Sequence, residues 1–102
     1  MNIEKSIWIG LLHIKTKSKN NVLLPNVSGA YVNVIAKVDS KEELIFILKN
    51  YVKKQYWIFI DIEEVEPLYI RLKTYDVAKQ IIKKTKLLVN KGDFCFGTFH
   101  TY

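Results

Sequence analysis

The stretch GAYVNVIAKVDSKEELIFILKNYVKKQYWIFIDI, residues 29–62, decides the fold. Its first ten residues alternate. Ala30, Val32, Val34, Ala36 and Val38 fall on one side of an extended chain, and Tyr31, Asn33, Ile35 and Lys37 on the other, which predicts a strand over 29–38 with one buried face. Asp39-Ser40-Lys41-Glu42-Glu43 then forms a capping box, in which Ser40 caps the amide three residues on and Glu43 reaches back to the backbone of Ser40. A helix is predicted from there to about Lys54. Leu44, Ile47, Leu48 and Tyr51 recur at i, i+3, i+4 and i+7, while Lys41, Lys49 and Lys53 sit away from that stripe. Residues 56–62 are apolar on both sides, Trp57 and Phe59 on one and Ile58, Ile60 and Ile62 on the other, which predicts a central strand covered on both faces.

Working outward, residues 6–16 are a nearly continuous apolar run rich in β-formers and read as a first strand. Residues 17–28 are a polar connection with Asn20-Asn21, Pro25 and an apolar centre of Val22, Leu23 and Leu24; its length makes it a site candidate. Residues 68–72 are too few for periodicity to separate an edge strand from a helical turn. Thr74 or Asp76 caps a second helix with the apolar set Val77, Ala78, Ile81, Thr85, Leu88 and Val89, closing at Lys91 with Gly92 as a left-handed stop. Residues 93–102 form the last strand, where Gly97 marks a bulge. Two strand–helix–strand units give the expected fold: a single α+β domain over 1–102, a ferredoxin-like two-layer sandwich. It has a mainly antiparallel sheet of four to five strands and two helices on one face.

With 102 residues, 49% hydrophobic and 25% charged, the composition is that of one globular domain. Cys95 is the single cysteine, which excludes an internal disulfide and a multi-cysteine zinc site and suits a reducing compartment, so a cytoplasmic location is expected. The apolar run 7–14 is shorter than a membrane span, and no membrane partner is expected. The net charge of +6 combines fifteen Lys and a single Arg, Arg71, against ten acids. Such a balance attracts nucleic acid or an acidic partner. Lys, Ile and Asn are over-used together, however, so part of the basicity reads as drift in an AT-rich coding sequence. One Arg supplies few bidentate base or phosphate contacts, which argues against sequence-specific DNA reading.

No complete catalytic, metal or nucleotide motif is present, and no cofactor or metal is expected. If both helices cover one face, the other presents Tyr31, Asn33 and Ile35 with aromatics that include Phe94, Phe96 and Phe99. An apolar face of that size marks an interface unless the 17–28 connection folds across it through Val22, Leu23 and Leu24. Asp61, Glu63, Glu64 and Glu66 crowd before Pro67 without a ligand spacing; a solvated strand end is the ordinary reading, and a dipole that steers a charged partner is the functional one. His13, His100 and Cys95 are the remaining reactive types, and nothing in the sequence brings them together. Simple alternation puts Cys95 and His100 on opposite faces unless a bulge at Gly97 intervenes. Cys95 is expected to be buried.

The expected function is therefore a non-enzymatic interaction module that binds another protein or a second copy of itself, with an inhibitor or immunity-type protein as its specific form. Its expected contacts are Tyr31, Asn33, Ile35, Trp57, Asp61, Glu63, Glu64, His100 and Tyr102. The alternative is single-stranded RNA binding through Lys79, Lys83, Lys84 and Lys86 with exposed sheet aromatics.

Overall fold

The computed structural model describes residues 6–17, 24–74 and 79–102. Four strands make one sheet: β1 (Ile7–Thr16), β2 (Gly29–Lys37), β3 (Trp57–Pro67) and β4 (Phe94–Thr101). Helix α1 (Lys41–Lys54) joins β2 to β3, and α2 (Leu68–Thr74), α3 (Lys79–Lys84) and a 3-10 turn at Thr85–Leu87 lie between β3 and β4. The sheet order is β3-β1-β2-β4, and every neighbouring pair is antiparallel. The protein is thus α+β with a four-stranded antiparallel sheet. Residues 68–72 belong to a helix, and the strand order is not the one expected from two strand–helix–strand units.

Alternation does what the sequence predicts in β2. Ala30, Val32, Val34 and Ala36 are buried together with Leu12 and Ile14 of β1 and with Leu44, Leu48 and Val52 of α1. The capping box forms as well: the Glu43 amide donates to Ser40 Oγ at 3.1 Å, and the Asp39 amide, rather than that of Ser40, donates to the Glu43 carboxylate at 3.2 Å. Ser40→Ala is expected to cost about 1 kcal/mol, the usual worth of an N-cap oxygen, measurable by urea denaturation as a lower midpoint at unchanged slope. Lys91, just before β4, bridges Asp39 at 2.7 Å and approaches Glu43 at 3.9 Å. The hydrogen bond to Asp39, then its charge and that of Glu43, hold the Lys91 pKa above its ordinary value. A raised lysine pKa stabilises below the free-lysine range and is lost as pH climbs above it; solvent screens this exposed pair.

The helices divide between the faces. α1 covers the Val32–Val34 side, whereas Leu68 and Leu72 of α2, Ile81 of α3 and Leu88 pack with Ile7, Ile9 and Ile35 on the other. Two expectations fall with that. Ile35 is buried at 3% exposure, so it is core and not a contact residue. The second helix is also shorter than predicted: it ends at Lys84, and Gly92 keeps its left-handed φ of 94° in a turn beyond it. The expected Asp76 cap and the apolar positions Val77 and Ala78 lie outside the described residues, as do Val22 and Leu23. Thr74, the other expected cap, closes α2 instead.

β3 is an edge strand, not the central one. A register shift opposite His13 and Ile14 changes its parity, so Trp57, Phe59 and Ile62 all turn to the α1 side while Ile58 stays exposed on the other. Trp57, expected at the interface, is 2% exposed and stacks edge-on with Tyr51 and Phe99. The three phenylalanines of β4 also face α1, against expectation: Phe94, Phe96 and Phe99 pair with Ala36, Val34 and Val32. The rings of Phe94 and Phe96 close around Tyr51, with centroids at 5.2 Å and 5.3 Å, and Phe99 packs on Phe96 and Trp57. The bulge that carries Gly97 and Thr98 opposite Asn33 keeps Phe96 and Phe99 on one side despite their spacing of three.

Candidate functional site

The same bulge brings the polar residues together. Cys95 pairs with Ile35 and His100 with Tyr31, so both side chains lie on the face away from α1, where simple alternation would have separated them. Across the sheet the registers align Asp61 of β3, His13 of β1, Tyr31 of β2 and His100 of β4 in one row. Directly opposed residues of antiparallel strands share a face, so this row spans the whole sheet on its second side.

At its centre the His13 imidazole lies on the Tyr31 ring, centroids 4.1 Å apart and planes 14° from parallel. Tyr102 completes the group. Gly29 and Tyr102 exchange both backbone hydrogen bonds, and the phenol folds back across Gly29 to place its hydroxyl 2.7 Å from His13 Nε2. Gly29 is needed there because a Cβ would collide with the Tyr102 ring and approach the Ile14 carbonyl oxygen to 2.8 Å. The Tyr102 ring stands 6.1 Å from Tyr31 at a 39° tilt, giving a three-ring platform. Tyr31 remains 40% exposed and Tyr102 52%.

Among the described residues, the platform occupies the end of the second face that α2 and α3 leave open. Next to it Ile58, opposite Lys15, is 43% exposed, and Glu63, opposite Leu11, continues the acidic border begun by Asp61. Glu64 sits beyond them with a left-handed φ of 54°, where the strand bulges. Arg71 reaches back from α2 to the Glu66 carboxylate and the Glu64 carbonyl, so the chain's single Arg is engaged in the fold. Asn33 is half-buried beside Gly97, between the platform and the helical cover. Cys95 is half-buried with the Ile35 cluster, against the expectation of full burial.

Of the expected contacts, Tyr31, His100 and Tyr102 therefore gather with Asp61 and Glu63, Asn33 and Glu64 lie at the margin, and Ile35 and Trp57 are interior. His13 is the residue that sequence reading left unplaced. Its signal was parity: within β1 it shares a side with Lys15, opposite Leu12 and Ile14, but only the hairpin register sets it on Tyr31.

The lysines of the alternative reading lie apart from the platform. Lys79, Lys83 and Lys86 are exposed, while Lys84 donates from Nζ to the Phe96 carbonyl at 2.7 Å. Leu24, which in the competing reading would fold across the open face, is instead buried in the α1-side core beside the partly buried Val27. Among the described residues no three His, Cys, Asp or Glu side chains converge to hold a metal ion. Among those residues, too, no helix is long and apolar enough to cross a membrane. No family model, curated protein or solved structure matches this chain.

Proposed function

We propose that this protein is a non-enzymatic interaction module, and that the open end of its second sheet face is where it holds a partner protein. The observation that carries the reading is the His13–Tyr31–Tyr102 platform: three rings held in fixed register by a hairpin and a phenol–imidazole hydrogen bond, yet substantially exposed. Rigid, half-exposed tyrosines beside an aliphatic group such as Ile58 are the side chains that anchor protein interfaces, because they bury large areas and lose little rotamer entropy. Asp61 and Glu63 supply a polar border on one side. The chemistry of the cluster favours holding over turnover, since the His13 Nε2 faces the Tyr102 hydroxyl in place of a substrate. An inhibitor or immunity-type protein that occludes its target is the specific form we favour, with a cytoplasmic setting.

Single-stranded RNA is the competing ligand. Against it, one face of the His13 ring is already used by Tyr31, two carboxylates border the platform, and the basic helix lies elsewhere. A photoreactive benzophenone residue at position 58 tests the proposal, with position 46 on the solvent side of α1 as the control. In cells of the source organism, a discrete protein adduct at 58 and none at 46 is expected. Equal labelling at both positions refutes the assignment of the face, and an adduct digested by ribonuclease transfers the site to RNA.

A further inference from the structure

We propose that the outer edge of β4, which pairs with no further strand among the described residues, is a strand-addition site for an extended, acidic segment of a partner protein. It goes beyond the open-face reading, because backbone groups and not ring surfaces carry it. The two edges of the sheet differ. β3 is blunted by two register shifts, a left-handed residue at Glu64, four carboxylates at Asp61, Glu63, Glu64 and Glu66, and a terminal Pro67. β4 carries no Asp, Glu, Lys, Arg or Pro.

Its hydrogen-bonding phase is fixed by β2. Because Gly29 and Tyr102 form a doubly bonded pair, and such pairs alternate along an antiparallel ladder, Phe99 and Thr101 turn their N–H and C=O outward. Phe96, beyond the bulge, is outward as well, and Lys84 Nζ donates to its carbonyl. A lysine is thus placed where the N–H of a further strand would sit.

The partner's chemistry follows from the surroundings. α3 and the turn after it contribute Lys79, Lys83, Lys84 and Lys86 and no acid. A second copy added through β4 would set these lysines against their own counterparts, whereas a foreign strand with acidic side chains on the α3 side is complementary. Alternation then puts that strand's other side chains beside Phe96 and Phe99, so an acidic–apolar alternating segment satisfies both faces. RNA has no row of alternating N–H and C=O groups to offer this edge. As the strand adds, its N–H replaces the Lys84 ammonium on the Phe96 carbonyl, and the ammonium moves to a partner carboxylate.

The test uses a short blocked peptide of alternating Glu and Val, titrated into the isotope-labelled chain at low salt. The Phe96, Phe99 and Thr101 amides are expected to gain exchange protection on binding. Of the two peptides N-methylated in alternate registers, the one whose methyls fall on the amides that face β4 is expected not to bind and the other to bind, and a Lys–Val version to bind more weakly. Lys83→Glu with Lys86→Glu, both exposed, should weaken binding about fivefold, the loss of two surface pairs. Tyr31→Lys should leave peptide binding unchanged, which separates this site from the platform. The proposal is overturned if the Glu–Val peptide does not bind, or if both N-methylated peptides bind as well. It is equally overturned if protection appears only at His13 and Tyr31, or if the free chain protects these amides in a concentration-dependent way, as self-pairing would.

Discussion

Tyr31→Lys is expected to abolish the protein adduct formed from position 58 while leaving the fold in place. The Tyr31 side chain is 40% exposed and its principal described contacts are the rings of His13 and Tyr102, so the fold loses only those aromatic contacts, about 1 kcal/mol in all. Binding loses far more. A tyrosine at the centre of an interface is worth about 2 kcal/mol or more, a weakening of roughly 30-fold, and the lysine adds a charge that must be desolvated against the partner. The check pairs two readouts on one variant: thermal unfolding followed by circular dichroism, and adduct yield from position 58. Retained unfolding temperature with lost adduct is the expected result. A collapse of stability would instead make Tyr31 part of the core and remove the platform from consideration as a binding surface.

Leu48→Ala is expected to destabilise the protein by about 2–5 kcal/mol, a large share of the total stability of a domain this size. Leu48 has no solvent exposure and lies in the single cluster that joins α1 to Val32, Val34 and Leu12. Among the described helices α1 alone covers that face, so no neighbouring helix is placed to collapse into the cavity. Chemical denaturation should show a lower midpoint with little change in slope. Ile47, one residue earlier and half-buried, is the control: its truncation should cost clearly less. Equal losses at both positions would mean that α1 is packed differently from the arrangement described.

What the sequence made legible was local. Ser40 and Glu43 announce the start of α1 because a capping box needs only residues three apart, and the stripe through Leu44 and Leu48 names the buried side because helical periodicity is intrinsic to the chain. β2 was legible for the same reason, its alternation intact from Ala30 to Ala36. β3 was misread because its apolar residues are carried on both sides by a change of parity, and a bulge has no signature in a run such as YWIFIDI. The three phenylalanines of β4 were assigned to the wrong face for a related reason. Strand parity tells which residues lie together, but not which of the two groups meets α1.

The sequence by itself determined the α+β class, the extents of β1, β2 and α1, and the presence of a polar set at Tyr31, Asn33 and Lys37 opposite the buried valines. Tertiary structure decided which strands became edges and what each face of the sheet carries. It set His13 on Tyr31 through the β1–β2 register and returned His100 to the same row through the bulge at Gly97. The physical reason is one of range. Capping and periodicity act over three to seven residues and leave a trace in the chain, whereas a register is chosen by packing between strands far apart in sequence, where a slip of one residue exchanges the two faces.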